Sequence, residues 1–104
     1  MSRHENPQID FVNRHGHISD RMSEHATKKV QKLVRYNDQI SRIEVIVDGP
    51  HDSPEVEVIV HVDNHDPIVA RDRNEHFSAA IDGIVEKLEK QLIKAKEKLK
   101  DRRS

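Results

Sequence analysis

The C-terminal stretch from Glu75 to Arg103 carries the most regular hydrophobic pattern of the chain. Its apolar side chains recur at steps of three and four residues, which places them on one side of an α-helix. They are Phe77, Ile81, Ile84, Leu88, Leu92, Ala95 and Leu99. Four lysines share this spacing but lie about 100° further round the helix. They are Lys87, Lys90, Lys94 and Lys98, and we call them the C-terminal ridge. The pattern predicts a helix with one buried face and one basic face.

A second helical pattern lies nearer the N-terminus, after a short strand. Gln8 to Asn13 alternates in the way that a strand does. Ser19 is expected to cap a helix that runs to about Tyr36, because its hydroxyl can accept a free backbone N–H. The apolar stripe of this helix is Met22, Ala26, Val30 and Leu33. Its flank carries Arg21, His25, Lys28, Lys32 and Arg35, which we call the N-terminal ridge. The spacing predicts a second amphipathic helix.

Three alternating segments separate the two helices. Arg42 to Asp48, Glu55 to Val62 and Pro67 to Arg71 place branched apolar residues on one side and mostly charged residues on the other. The segments between them, 49–54 and 63–66, are rich in turn-forming residues. The pattern predicts three consecutive strands joined by short turns. After the third strand, Asn74 is expected to cap the final helix.

The predicted order of elements is therefore β-α-β-β-β-α, an α+β domain with a four-stranded mixed sheet. A strand joined to the next through a helix is expected to lie parallel to it, with a right-handed crossover, and the short turns make the remaining pairs antiparallel. Both helices are expected to pack on the sheet face that carries the valines and isoleucines. The chain is then one domain, 1–104, with flexible ends at 1–7 and 101–104. Its other sheet face is expected to be exposed to solvent and acidic.

Charge is segregated along the chain, although the formal net charge is only −1. Residues 21–35 carry five basic side chains against one acidic one, and residues 83–104 carry eight against four. Residues 43–76 carry nine acidic side chains against two basic ones. If the helices lie side by side, the two ridges are expected to form one positive ledge that attracts phosphate, while the acidic sheet repels it. The plainer interpretation is that the lysines only solvate two amphipathic helices.

Composition and motifs argue against several other classes of protein. The chain has no cysteine, which excludes disulfides and thiol catalysis, and no apolar run long enough to cross a bilayer. A cytoplasmic location is therefore expected. No glycine-rich phosphate loop and no nucleophile motif is present, so neither an enzymatic activity nor a cofactor is predicted. Among eight histidines, His15 with His17 and His61 with His65 lack a third ligand, so no metal site is predicted.

The few aromatic residues limit how RNA can be read. Phe11 and Phe77 fall on apolar faces, which leaves no platform on which bases could stack. Tyr36 either stacks on a base or closes the core with its hydroxyl outward. If RNA is the partner, recognition through shape and phosphates is expected.

The exposed sheet face is also expected to carry some apolar residues. They are Val12, Ile46, Ile59 and Val69. Branched side chains occur in strands because of their own conformational preference. If these four line up, however, they form a narrow apolar strip that supports weak self-association of an otherwise monomeric protein.

Several short motifs together resemble one protein family. Asn13-Arg14-His15 precedes Ile18-Ser19-Asp20, and Val30-Gln31-Lys32-Leu33 precedes Tyr36. The most specific motif is Ala79-Ala80-Ile81-Asp82 followed by Glu86-Lys87-Leu88-Glu89-Lys90-Gln91-Leu92. From about Ile9 to Lys100, the chain is similar to the ribosome hibernation factors. These comprise the hibernation-promoting factor and ribosome-associated inhibitor proteins, also labelled sigma-54 modulation proteins.

This resemblance implies a β-α-β-β-β-α domain with a double-stranded-RNA-binding-like layout. Members of the family bind the small ribosomal subunit in the channel between head and body, over the mRNA and tRNA sites, and keep resting ribosomes inactive. The implied partners are the small subunit with its rRNA and the 70S ribosome, while ribosome dimerisation is left open. The residues at the family's RNA-facing positions are Lys29, Lys32, Arg35, Lys87, Lys90 and Lys94, with Lys28 and Lys98 as supports.

The chain also departs from the family pattern. Ser23 stands where the family often has an arginine, and Phe77 replaces the usual tyrosine and so lacks its hydroxyl. The sequence ends shortly after the last predicted helix, as in the short promoting type. An alternative from another class is a protein-interaction or transcription-modulating module that docks acidic partners on the same basic helix surface.

Overall fold

A computed structural model of the protein describes residues 6–14, 17–50 and 52–101, of which residues 96–101 are described by their backbone alone. The elements are β1 (Gln8–Asn13), α1 (Asp20–Gln31), a 3₁₀ turn (Lys32–Arg35), β2 (Ile40–Asp48), β3 (Glu55–Val62), β4 (Ile68–Arg73) and α2 (Phe77–Asp101). The predicted order β-α-β-β-β-α is confirmed.

The four strands form one sheet in the order β1-β2-β3-β4. β1 runs parallel to β2, as expected for strands joined through a helix, and the other two pairs are antiparallel. Across the central pair, Val45 lies opposite Val58 and Val47 lies opposite Val56, so apolar positions of both strands share one face. A slip of one residue would turn these side chains to the other face, and the alternation therefore specifies the register.

The core lies between that apolar face of the sheet and the two helices. Ala26 and Val30 of α1 are inaccessible to solvent, as are Ile84 and Leu88 of α2. They belong to the predicted apolar stripes, whose described members are buried in the core or packed against it, except Ala95, which is partly buried and lines a cavity beside the 3₁₀ turn. The side chain of Leu99 lies outside the described residues. Burial of one large apolar side chain stabilises the fold by about 1.5–3 kcal/mol. The small apolar content of the chain is thus concentrated in one core.

The start of α1 agrees with the prediction, whereas its end does not. Ser19 caps the helix, and its hydroxyl accepts a hydrogen bond from the Met22 backbone N–H at 3.1 Å. The α-helix ends at Gln31 and tightens into the 3₁₀ turn, after which the Tyr36 N–H donates to the Leu33 carbonyl at 3.0 Å. Bonds over three residues are common at helix ends. The predicted single helix is therefore an α-helix followed by a tighter turn.

β2 and β4 extend beyond their predicted bounds. β2 begins at Ile40 rather than Arg42, ahead of an irregularity in its pairing with β3. β4 begins at Ile68 rather than Pro67, in keeping with the lack of a backbone N–H on proline. It continues to Arg73 because its last residues still pair with β3.

The start of α2 also differs from the prediction. Asn74, the expected cap, accepts a hydrogen bond from the His76 N–H at 3.2 Å and so bends the chain before the helix. The helical hydrogen bonds begin at His76, whose carbonyl accepts from the Ala80 N–H at 3.1 Å. α2 therefore begins at Phe77, and His76 rather than Asn74 is the residue that precedes it.

The two predicted flexible ends are described only in part. Pro7 belongs to the predicted N-terminal lead-in but is buried. Asp101 belongs to the predicted tail but is the last residue of α2. Residues 1–5 and 102–104, which make up the rest of both ends, lie outside the described residues. Neither helix in the described ranges has the apolar length that crossing a membrane requires.

Candidate nucleic-acid interface

The C-terminal ridge begins on the side of α2 that contacts the edge strand β4. Lys87, Lys90 and Lys94 are exposed, whereas the side chain of Lys98 lies outside the described residues. The Lys87 ammonium donates a hydrogen bond to the Arg71 carbonyl of β4 at 3.0 Å. A lysine ammonium has three N–H donors, so two remain for phosphate oxygens or water. One lysine of the ridge is therefore held in place by the sheet.

One turn further along α2, Gln91 makes a similar contact. Its side-chain amide donates to the Val69 carbonyl at 3.4 Å. Val69 and Arg71 alternate along β4, the last strand of the sheet, where outward-facing carbonyls have no neighbouring strand to bond. Lys87 and Gln91 thus cover two positions of this edge. The sequence pattern does not predict this contact of Gln91, because hydrophobic periodicity carries no signal for a polar contact to a strand edge.

The N-terminal ridge lies on α1 and on the 3₁₀ turn that follows it. Lys28, Lys32 and Arg35 are exposed, and Lys29, which the family resemblance adds to them, is half-buried. Lys32 and Arg35 are the first and last residues of the 3₁₀ turn. Side chains three residues apart eclipse one another in such a turn. Two cationic side chains therefore project from the same side of the molecule.

Besides their shared apolar core, the two helices make a polar contact through a carboxylate of α2. Oδ1 of Asp82 lies 3.2 Å from Nε2 of His25 and 3.7 Å from Nζ of Lys29, both on α1. His25 and Lys29 are one helical turn apart, a spacing that lets them share one acidic partner. The apolar pattern of α2 does not predict that Asp82 links the two helices. The spacing of His25 and Lys29, one helical turn apart, was the sequence signal that could have indicated a shared acidic partner.

The prediction of one continuous basic ledge is wrong. Asp82 and Lys87 are five residues apart, or about 140° round the helix. Because Asp82 contacts α1 and Lys87 contacts β4, the C-terminal ridge lies away from α1. The period of a helical pattern shows which residues share a face, but it does not show which flank meets the neighbouring helix.

A row of carboxylates separates the two ridges. Asp82, Glu86 and Glu89 follow one another at helical spacing along the outer side of α2. Glu86 also lies 3.7 Å from Nζ of Lys90, in a pair whose side chains are 70% and 72% exposed. Such an exposed pair holds the lysine weakly and leaves it available to other anions. The surface therefore consists of two basic stripes, which suit two separate sets of phosphate contacts.

The opposite face of the sheet is covered by ion pairs between neighbouring strands. Nε of Arg71 lies 2.8 Å from Glu57, and Nη2 of Arg73 lies 2.7 Å from Glu55. Each pair joins residues directly opposite one another on β3 and β4. Cross-strand pairs of opposite charge are favourable in sheets. This face is therefore less acidic than its carboxylates alone predict.

On the other side of the same face, Arg42 joins β1 and β2. Its Nε lies 2.9 Å from Oδ2 of Asp10, and its Nη2 lies 2.9 Å from Oε1 of Glu44. The Asp10 carboxylate also accepts the side-chain amide of Gln8 at 3.1 Å. The hydrogen bond from Gln8 lowers the pKa of Asp10, desolvation opposes this, and Arg42 lowers the pKa further.

The hypothesised apolar strip on this face is interrupted. Val12 lies beside Ile46, and Ile59 lies beside Val69, but Ile46 is opposite Glu57 rather than Ile59. Val12 and Val69 are exposed, whereas Ile46 is only 7% accessible. Ile46 was expected to be exposed on this face. It is buried instead, because the charged side chains around it limit its contact with solvent.

Within the described ranges, no group of three or more histidine or carboxylate side chains is placed to hold a metal ion. Nε2 of His61 lies 2.8 Å from Oε2 of Glu44, in a pair between β3 and β2. Nδ1 of His65 lies 2.7 Å from a neighbouring backbone carbonyl in the β3–β4 turn. His15, the partner of His17 in the sequence, lies outside the described residues. His61 and His65 therefore make local contacts.

The three aromatic residues all pack against the core. Phe77 is buried, and Phe11 and Tyr36 are partly buried against the same cluster. The position of Tyr36 favours the interpretation in which it closes the core. Recognition of RNA by the helix surface would then depend on cationic side chains rather than on stacking.

Comparison with known proteins gives a consistent family assignment. The family model described as sigma 54 modulation protein / S30EA ribosomal protein matches residues 9–100. The ribosome hibernation promoting factor of Azotobacter vinelandii is 34% identical over 90 residues, which cover 84% of this chain and 83% of the relative. The factor of the same name from Escherichia coli K12 is 32% identical over 93 residues, covering 89% and 97%. Both are named for the ribosome and not for a reaction, in line with the prediction of a non-enzymatic protein.

Solved structures share the fold. A ribosomal subunit interface protein from Coxiella burnetii superposes with a TM-score of 0.78 at 26% identity, covering 86% of this chain and 98% of the other. The N-terminal domain of Protein Y from Thermus thermophilus gives a TM-score of 0.72 at 22% identity, covering 85% and 97%. At that identity the second likeness supports the fold alone. Together they confirm the predicted α+β architecture.

Proposed function

Since this chain belongs to the sigma 54 modulation protein / S30EA ribosomal protein family, we propose that it is a ribosome hibernation factor. It binds the small ribosomal subunit in the mRNA and tRNA channel and inhibits translation in resting cells. The observation that carries the proposal is the match to 97% of the length of the E. coli factor. The proposed partner is the small subunit, either free or within the 70S ribosome. A protein with this partner acts in the cytoplasm.

The proposed contact surface is the outer side of the two helices. The side chains proposed to contact rRNA phosphates are Lys28, Lys29, Lys32 and Arg35 on one stripe and Lys87, Lys90, Lys94 and Lys98 on the other. Because a row of carboxylates separates the stripes, each stripe binds its own run of phosphates. Two of these lysines are already engaged within the protein: Lys29 is half-buried and 3.7 Å from Asp82, and Lys87 donates to the Arg71 carbonyl.

Replacing Lys87, Lys90 and Lys94 together by glutamine tests this surface. Each lysine–phosphate contact adds about one unit to the slope of log affinity against log salt. Co-sedimentation with small subunits is therefore expected to weaken, and the salt slope to fall by about three units. Replacing the same residues by glutamate is expected to abolish binding, since it adds repulsion. Undiminished binding of the glutamate variant would contradict the proposed surface.

A matched control removes the same amount of charge from the sheet face. Arg42, Arg71 and Arg73 form ion pairs there and can be replaced together by glutamine. Each exposed pair contributes only about 0–1 kcal/mol, so the control is expected to fold. Its binding should equal that of the original protein. Equal losses in both triple variants would show that net charge, rather than the helix surface, governs the interaction.

Nuclease treatment separates an RNA partner from an acidic protein partner. The protein is incubated with a lysate, recovered and compared with and without ribonuclease. Loss of the bound particles after treatment is expected if rRNA is the partner. Partners that remain bound after rRNA is digested would favour the alternative, in which the same basic side chains dock an acidic protein.

A further inference from the structure

A cavity of about 370 Å³ opens where α1 and α2 begin, beside the β2–β3 turn. Met22, Val47 and Phe77 line its apolar part, and Pro50 and Pro54 stand at its side. Val47 is 1% exposed and Phe77 is 8% exposed, and both belong to the hydrophobic core. The cavity therefore gives a ligand access to the edge of the core.

The size and chemistry of the apolar part restrict what it can hold. Small-molecule sites usually enclose about 300–1,000 Å³, so this cavity lies near the lower limit. One planar ring system with a polar substituent fits that space, whereas a long polymer does not. Proline rings offer flat surfaces, and the flexible Met22 thioether packs well against aromatic rings. The apolar part thus suits a nucleobase.

The opening of the cavity carries groups that attract an anion. Arg21, from α1, supplies a permanent positive charge, and His17 and His76 add ring N–H donors, whereas Glu75 lines the same cavity with one negative charge. A guanidinium can donate two parallel hydrogen bonds to one phosphate. At the start of α2, the Phe77 and Ser78 N–H groups have no partner within the helix, and the helix dipole adds positive potential. These groups come from separate elements and meet at one opening.

We propose that this cavity binds a nucleoside 5′-phosphate. The base lies against Met22 and Phe77, and the phosphate lies at Arg21 and the first turn of α2. An apolar slot joined to an anion-binding opening matches the two halves of such a ligand. The nucleotide is either a free mononucleotide or one unpaired nucleotide of an RNA strand. The proposal does not depend on ribosome binding, because its test uses the protein alone.

The first experiment titrates the full chain with three probes while NMR follows the Met22 methyl and Phe77 ring signals. The probes are AMP, adenosine and inorganic phosphate. AMP is expected to shift these signals to saturation, and each of the other two to bind about tenfold more weakly or worse, because each supplies half of the contacts. Equal binding of adenosine and AMP, or no binding of AMP at millimolar concentration, would overturn the proposal.

Two variants test the anion-binding part. Arg21→Gln is expected to weaken AMP binding about tenfold, whereas the sheet-face control Arg42→Gln leaves it unchanged. Ser78→Glu places a carboxylate at the start of α2, which favours the helix but repels phosphate. It is expected to abolish AMP binding while the melting temperature stays equal or rises. Unchanged AMP affinity in both Arg21→Gln and Ser78→Glu would overturn the proposal.

A short adenine-containing single strand distinguishes the two sources of nucleotide. If the strand shifts the Met22 and Phe77 signals at lower concentration than AMP does, the ligand is a nucleotide within RNA. If AMP acts at lower concentration, the ligand is a free nucleotide. Both results support the cavity as the site. If both the strand and AMP shift only the NMR signals of the lysines in the two ridges, the proposed site is overturned.

Discussion

Lys87 serves two parts of the molecule with one ammonium group. Its hydrogen bond to the Arg71 carbonyl holds the side chain against β4. The ammonium keeps two further donors, which can reach a phosphate. A side chain that is already restrained loses less rotamer freedom when it binds. Lys87 is therefore better prepared for the proposed rRNA contact than an unrestrained lysine would be.

Asp10 allows a test of charge pairing at a single residue. Gln8→Ala removes the first cause of its lowered pKa, so the pKa is expected to rise toward the ordinary value of about 3.9. Arg42→Gln is expected to raise it as well. NMR titration of the carboxyl group measures both changes. Lys90→Gln, on the far side of the molecule, serves as the control, and an unchanged pKa in Gln8→Ala would contradict the assignment.

The same shift predicts a direction for stability against pH. A carboxyl group whose pKa is lower in the folded state stabilises the fold above its unfolded pKa, and this contribution is lost as pH falls through the folded value. The difference in melting temperature between the original protein and Gln8→Ala should therefore be present at neutral pH and shrink below about pH 4. A difference that grew in acid would contradict this sign.

The cap of α1 can be tested at the scale of the element. Ser19 accepts the Met22 N–H, whereas Ser23, inside the first turn, donates to the Asp20 carbonyl. Ser19→Ala is expected to cost about 1 kcal/mol of unfolding free energy, because a helix N–H loses its partner. Ser23→Ala is expected to be nearly neutral, because alanine favours the helix interior. Urea denaturation measures both, and equal losses would contradict the capping assignment.

Gly83 leaves room on α2 for the side chain of Asp72 on β4. A Cβ atom at this position would lie 2.7 Å from Oδ2 of Asp72, which is too close for an ordinary contact. The other oxygen of this carboxylate accepts the Arg73 N–H at 2.9 Å. The side chain of Asp72 must therefore move if Gly83 is replaced. Glycine at this helical position gives up intrinsic helix stability in exchange for the close contact.

A double-mutant cycle tests this account of Gly83. In a helix interior, alanine stabilises the helix by about 1 kcal/mol relative to glycine. Gly83→Ala is therefore expected to be nearly neutral in the original protein, where moving Asp72 offsets the gain. In an Asp72→Ala background it should stabilise by about 1 kcal/mol, as measured by urea denaturation. The same effect in both backgrounds would show that Asp72 does not oppose the substitution.

The type of each element was predictable from the sequence, but its ends were not. Helical and strand periodicities are properties of the side chains that face the core, and they identified both helices and all four strands. The ends depend on local hydrogen bonds that periodicity does not contain. Tyr36 bonds to the Leu33 carbonyl and shortens α1, and Asn74 bonds to His76 and delays α2.

At the scale of the whole molecule, the lengths and types of the connections between strands predicted the sheet topology. The contacts of surface residues could not be predicted from the sequence. The helix between β1 and β2 implied a parallel pair and the short turns implied antiparallel ones. The position of Asp82 against α1 depends on how the helices are rotated, which one helical pattern does not reveal. The burial of Ile46 depends likewise on charged neighbours from adjacent strands. The candidate residues were therefore predictable, but their arrangement was not.

Uncovering the edge of β4 is expected to change how the molecules assemble. Lys87→Ala with Gln91→Ala removes the donors that bond the Arg71 and Val69 carbonyls. The exposed edge can then pair with a second molecule. The association constant is expected to rise about tenfold over that of the original protein, or 1.4 kcal/mol, as measured by sedimentation equilibrium.

Lys90→Ala is the matched control for that experiment. Lys90 lies on the same helix and is also charged and exposed, but among the described contacts it makes no hydrogen bond to β4. It should sediment like the original protein. Association of the control to the same extent would mean that lost charge, rather than an uncovered strand edge, brings the molecules together.

The contact between Lys87 and β4 also limits which amino acids can replace this lysine. A residue at position 87 must supply a donor to the Arg71 carbonyl, whereas position 90 has no such requirement among the described contacts. In a library of single substitutions selected only for folded, soluble protein, arginine and glutamine should survive at position 87 better than glutamate or leucine. Position 90 should accept all four. Mutational tolerance at position 87 would then reflect the architecture of the sheet, even in cells where ribosome binding is not under selection.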